Sequence, residues 1–135
     1  MASEYRIHGV EISPYSVKVR SYFRYKVLPH RWIPRNQDTA GEYQKFVKLP
    51  LVPLVVTPDD RGIQDSTPII EQVDKTHPEP SIHPGDPVAN FISVLLEEFG
   101  DEWGNKWMFH YRWAREVDQL SAAGRIARSM FPTAD

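Results

Sequence analysis

The 135-residue sequence contains no cysteine. That absence excludes a disulfide, a thiolate zinc site and a cysteine nucleophile contributed by the chain. It also argues against a thiol-disulfide oxidoreductase, whose reaction begins with a thiolate attacking a disulfide sulfur. No apolar run approaches the length needed to cross a bilayer, and Met1-Ala2-Ser3-Glu4 lacks the basic stretch followed by an apolar one that marks a secretory leader. The expectation is a soluble, cytoplasmic protein. Blocks of basic residues are also missing: 16 Lys and Arg against 18 Asp and Glu give a formal net charge of -2. So even a balance supplies no electrostatic footprint for nucleic acid or for a membrane surface, and neither is expected as a partner. Internal repeats and low-complexity blocks are absent. No metal site is expected from the histidines, because His77 and His83 stand among prolines and His110 has no histidine four residues away.

What is present is organised around Lys48 to Thr67. Val52 precedes Pro53, whose ring crowds it out of the helical region, so an extended segment starts there. Leu54-Val55-Val56-Thr57 is short, apolar and β-branched, as suits a buried strand. Pro58-Asp59-Asp60-Arg61-Gly62 reads as a tight reversal, and Ile63-Gln64 as the returning hairpin partner. Asp65-Ser66-Thr67-Pro68 then places small oxygen-bearing side chains before Ile69, Ile70 and Val73, which is a helix start.

Upstream, Tyr5-Arg6-Ile7-His8 alternates and gives a first strand with Tyr5 and Ile7 on one face, ended by Gly9. Ser13-Pro14 is an N-cap followed by proline at the first helical position. Tyr15, Val19, Tyr22 and Phe23 form the packing stripe of that helix, and Leu28-Pro29 closes it. His30 to Pro34 is a second strand, which implies a parallel pair with a right-handed crossover. Thr39 and Glu42 have capping-box spacing before a short second helix carrying Tyr43, Phe46 and Val47. The fold class is α/β, a βαβ-α-ββα domain followed by an α-helical segment.

The expected domain spans residues 1–78. Residues 79–86 form a proline-rich linker, and 87–135 a partial helical domain. In that segment Asp86-Pro87 repeats the cap-plus-proline start, and Val88, Phe91, Ile92, Leu95, Phe99 and Trp103 form a helical stripe. Gly100 and Gly104 weaken it and predict a bend. Val117, Leu120, Ile126 and Met130 support a further helix, with Gly124 and the Pro132-to-Asp135 tail leaving its end open.

The order of these pieces resembles the thioredoxin-like fold, and specifically the N-terminal domain of a glutathione S-transferase. The carrying motifs are Ser13-Pro14-Tyr15-Ser16-Val17-Lys18-Val19-Arg20 after strand one, Val52-Pro53 before strand three and Asp65-Ser66 opening the third helix. The linker ending in His83-Pro84 and the long helix with Phe109-His110-Tyr111-Arg112-Trp113 are similar to that family's join to its helical domain.

The resemblance implies a glutathione site with Ser13 as the catalytic residue. Its hydroxyl, with free amides at a helix N-terminus, would stabilise the thiolate. Ser16 is the second candidate hydroxyl. Without the resemblance, Ser13 reads as no more than the cap of its own helix. Asp65 and Ser66 would hold the γ-glutamyl end, and Tyr15 and the Val52-Pro53 backbone, with a cis peptide bond, the rest of the tripeptide. Arg35 or Lys48 would meet the glycyl carboxylate. Here aspartate stands where the family often has glutamate.

The implied activity is transfer of glutathione, as co-substrate, to a small hydrophobic electrophile, in a homodimer. The alternatives are a non-catalytic binding or assembly module of the same fold, or a truncated transferase without a complete electrophile site. The aromatic series from Phe99 to Trp113 suits packing against another domain or subunit, or an apolar substrate pocket.

Overall fold

The computed structural model describes residues 4–130; Met1 to Ser3 and the end from Phe131 to Asp135, which includes the Pro132-to-Asp135 tail, lie outside the described residues. The chain divides into two compact units, Met1–Glu79 with Ile126–Asp135, and Pro80–Arg125.

In the first unit β1 (Tyr5–Gly9) leads to α1 (Pro14–Tyr25), β2 (His30–Pro34), α2 (Ala40–Phe46), β3 (Leu54–Val56), β4 (Gly62–Gln64) and α3 (Ser66–Thr76). The sheet order is β2-β1-β3-β4; β1 runs parallel to β2, and both β1/β3 and β3/β4 are antiparallel. Each element follows from local chemistry. Ser13 caps α1, its Oγ accepting from the Ser16 amide at 3.2 Å, and Pro14 opens the first turn. The α1 stripe buries Val19, Tyr22 and Phe23. Past its end, Val27 takes a φ of 54°, and the chain turns into β2.

Both faces of the sheet are covered, which explains why Leu54, Val55 and Val56 are all fully buried in so short a strand. On one face Leu54 and Val56 pack with Tyr43 of α2, joined by Phe46, Val47 and Val52. On the other, Tyr5 meets Phe23 of α1 edge-on at 5.0 Å, and α3 packs beside α1 through its buried Ile69 and Val73. Gly9 is required by close approach: a Cβ there would sit 2.4 Å from the Trp32 ring and 2.9 Å from the Ser16 Cβ.

Two local readings change. The capping box at α2 does not form, since Thr39 makes no side-chain cap. Its hydroxyl instead donates to the Pro34 carbonyl at 2.6 Å and accepts from the Asn36 amide, while Glu42 pairs with Arg6 at 2.9 Å. A nearby cation outcompetes the helix amide for the carboxylate. The second change is His8, on the β1 face opposite Tyr5 and Ile7, which alternation leaves polar. It is fully buried, 6.0 Å from the Tyr43 ring, with neither ring nitrogen hydrogen-bonded.

Burial, above all, lowers the His8 pKa; Glu42 opposes this, and Arg6 and Arg31 add to it. The unfolded imidazole titrates near 6.5, so as pH falls through that value the unfolded chain takes up the proton first. The stability His8 contributes is therefore present above about pH 6.5 and is lost below it. Denaturation midpoints measured from about pH 8 down to 5 should fall, and His8→Leu should flatten that slope. An unchanged slope in the variant would assign the pH response to another group.

In the second unit α4 (Pro87–Phe99) is capped by Asp86, whose carboxylate accepts from the Ala89 amide at 2.8 Å. A π-helical turn, Gly100–Gly104, joins α4 to α5 (Asn105–Trp113), at the two glycines where a bend is expected. Then α6 (Glu116–Met130) begins in this unit and, from Ile126, belongs to the first, running to the end of the described residues. Neither α4 nor α5 has a buried residue, and Phe91 and Leu96 of α4 are 65% and 64% exposed. No helix among the described residues is long and apolar enough to cross a membrane.

Candidate functional site

Sheet topology brings three loops to one end. Register pairs His8 with Leu54 and Leu54 with Gln64. The exit of β1, the entrance of β3 and the exit of β4 are therefore neighbours, and at roughly 4.8 Å per strand the outer two are about 10 Å apart. Ser13 follows the first of these, Val52-Pro53 precedes the second and Asp65-Ser66 follows the third.

Ser13 is half-buried. Accepting the Ser16 amide uses one lone pair of its Oγ and leaves the hydroxyl proton free to be donated elsewhere. Capping and ligand binding are thus compatible roles. Ser16, by contrast, is fully buried, and its Oγ accepts from the Val10 amide at 3.4 Å. That hydroxyl ties the β1–α1 loop to the helix. Tyr15 is half-buried in the first turn of α1.

The Val52-Pro53 peptide bond is cis. Pro53 is buried and Val52 partly so. Asp65 caps α3 in position but not by side chain, and its φ of 74° with ψ of 138° is a region non-glycine residues avoid. Holding it there costs on the order of 1–3 kcal/mol, and such strain gathers at ligand-binding positions. The result is an exposed aspartate directly beside the α3 N-terminus. Ser66, next in the chain, is 1% exposed, and its Oγ has no hydrogen-bond partner. A buried hydroxyl without a partner is costly, and an anion set against the α3 amides would relieve it.

Arg35, Lys48 and Val52 share a cavity of about 660 Å³ with Val10 and Ile12. Ser13, Tyr15, Ser16, Pro53, Asp65 and Ser66 do not line it. The Arg35 guanidinium lies 4.7 Å from the centre of the Tyr43 ring and Lys48 is exposed. No group of three His, Cys, Asp or Glu side chains among the described residues is arranged to hold a metal.

Sequence reasoning missed the residues that shape the loop before Pro53. Gln64 Oε1 accepts from the Lys48 and Leu49 amides at 2.7 and 3.0 Å, and its Nε2 donates to the Leu49 and Leu51 carbonyls at 2.8 and 3.3 Å. The Tyr43 hydroxyl donates to the Leu51 carbonyl at 2.6 Å, and burial raises that phenol's pKa. Only the hairpin position of Gln64, one residue before Asp65, hinted at such a role.

The profile of the glutathione S-transferase N-terminal domain matches residues 7–81, and the chain belongs to this family. Among solved structures it is similar to a glutathione S-transferase from Methylobacterium radiotolerans in complex with glutathione sulfonate, at 21% identity and a TM-score of 0.68, covering 93% of this chain and 65% of that one. A glutathione transferase homologue from Sulfitobacter with bound glutathione is 17% identical with a TM-score of 0.67, over 95% of this chain and 65% of the other. The Tau class glutathione S-transferase of mango, Mangifera indica, gives 19%, 0.64, 96% and 60%. These likenesses establish the thioredoxin-like transferase fold, and the chain spans 60–65% of the length of these structures. No curated protein matches the sequence.

Proposed function

We propose that the protein binds glutathione and activates its thiol for transfer to a small hydrophobic electrophile. Residues 1–78 act as the glutathione-binding domain, 79–86 as the linker and 87–135 as the start of the helical domain. The observation that carries the reading is the buried, unpartnered Ser66 hydroxyl at the head of α3, set beside the strained, exposed Asp65. A γ-glutamyl group carries both charges such a corner accepts. Its α-carboxylate takes the Ser66 hydroxyl and the α3 amides, and its α-ammonium takes the Asp65 carboxylate. The Val52 backbone pairs with the cysteinyl part, Tyr15 flanks it, and Arg35 or Lys48 meets the glycyl carboxylate. Ser13 donates to the sulfur. Ser16 is left out of the ligand contacts, because its buried hydroxyl already serves the Val10 amide.

Titration calorimetry tests this. The wild-type chain should bind glutathione, and Ser66→Ala should bind it about 10- to 150-fold more weakly, the worth of one hydrogen bond to a charged group. Absence of saturable binding to the wild type would end the proposal. Binding without turnover of a chlorinated nitroarene would select the non-catalytic module of the same fold. The cellular setting proposed is the cytoplasm. The assembly proposed is a homodimer, supported by the exposed apolar side chains all round α4, a helix pattern made to be covered; light scattering reads its stoichiometry.

A further inference from the structure

We infer that Gln64 is a positioning residue that locks the two ends of the tripeptide site into one register; the inference rests on the glutathione reading above. Its carboxamide makes four hydrogen bonds to the backbone of Lys48, Leu49 and Leu51, a segment of exposed residues with no helix or strand of its own. Loop backbone without a ladder normally turns to water and moves. Here two donors and two acceptors of the loop are met by the two acceptor sites of Oε1 and the two donor hydrogens of Nε2, the full capacity of a primary amide.

The placement matters more than the count. Gln64 is the last residue of β4, and the next residue is Asp65, held at φ 74°. Leu51 is followed by Val52, the residue proposed to pair with the cysteinyl backbone. One rigid amide therefore fixes the distance between the Val52 edge and the Asp65-Ser66 corner, and it fixes Lys48, a candidate partner of the glycyl carboxylate, by its own amide. The Tyr43 hydroxyl braces the same loop from α2 through the Leu51 carbonyl. Gln64 touches no part of the tripeptide itself in this arrangement; it acts through the loop.

The carboxamide also sets how substitutions should rank. Gln64→Glu keeps an oxygen for the Lys48 and Leu49 amides but turns the donor that served the Leu49 and Leu51 carbonyls into an acceptor, which repels them. Gln64→Leu removes all four bonds while keeping similar bulk. Glutathione affinity should therefore fall in the order Gln, Glu, Leu, with the Leu variant at least tenfold weaker, and the glutathione KM should rise while kcat at saturating glutathione holds.

The full chain is compared with both variants by calorimetry, by thermal melting and by amide hydrogen exchange at Lys48 and Leu49. The expected result is exchange at those two amides at least tenfold faster in Gln64→Leu, with melting close to wild type and the affinity order above. Glutathione affinity within twofold of wild type in Gln64→Leu would overturn the inference, as would unchanged exchange at Lys48 and Leu49. A wild-type chain that binds no glutathione refutes the proposed function and the ligand half of this inference together. Exchange, which needs no ligand, still decides whether the clamp exists.

Discussion

Ser13→Ala is expected to lower the rate of glutathione attack on an electrophile by about 10²- to 10³-fold, the usual loss when one preorganised donor to a developing or resting anion is removed. A free thiol of this kind titrates near 8.5, and each unit of depression needs about 1.4 kcal/mol of preference for the thiolate. On the proposed function the Ser13 proton supplies much of it, since its oxygen accepts from the Ser16 amide and that bond leaves the proton to be donated. The same substitution also removes a helix cap worth about 1 kcal/mol. Two further variants separate the effects. Ser13→Thr keeps cap and proton and should retain most of the rate, whereas Ser13→Asp keeps the cap, carries no proton to give and repels the thiolate. The ultraviolet absorbance of bound thiolate should vanish in the Ala and Asp variants and persist in the Thr variant. Equal thiolate in wild type and Ser13→Ala would move the stabilisation to the α1 amides.

The largest effect on folding is expected at Lys26. Its side chain is fully buried; the ammonium pairs with Asp74 at 2.5 Å and donates to the His77 and Pro78 carbonyls at 2.7 and 3.1 Å. The Tyr22 hydroxyl donates to the same carboxylate at 3.1 Å, and burial together with that bond raises the Tyr22 pKa. This knot ties the end of α1 to the end of α3 and to the chain leaving it. Lys26→Met strands a carboxylate and two carbonyls, so a loss of about 3–5 kcal/mol is expected from urea denaturation. Adding Asp74→Leu should return part of that loss, because a missing charge no longer leaves its partner buried alone. A single variant within about 1 kcal/mol of wild type would show that water reaches the site and takes over the bonds.

The legible parts of the site are those whose chemistry is local. A serine before a proline caps a helix wherever it stands, and Ser13 does so. Val52-Pro53, the hairpin and Asp65-Ser66 occupy the positions their spacing gives them. What could not be read depends on neighbours far along the chain. Nothing around Lys26 in the sequence tells that Asp74 and the carbonyls of His77 and Pro78 will surround it. Alternation in β1 leaves His8 on a polar face, and only α2, packed across that face, buries it. Glu42 stands at the right spacing to complete a cap, yet Arg6, thirty-six places earlier, takes it.

By itself the sequence determined the order of strands and helices, the caps at Ser13 and Asp86, the breaks at proline and the place of the irregular turn near Gly100 and Gly104, because each rests on torsional preference or hydrogen bonding within a few residues. Tertiary structure alone decided which hydroxyl is left wanting a partner, which aspartate is bent into a costly backbone conformation and which glutamine holds the loop before Pro53. Those outcomes are set by where separate segments meet, and a one-dimensional pattern carries no record of that distance.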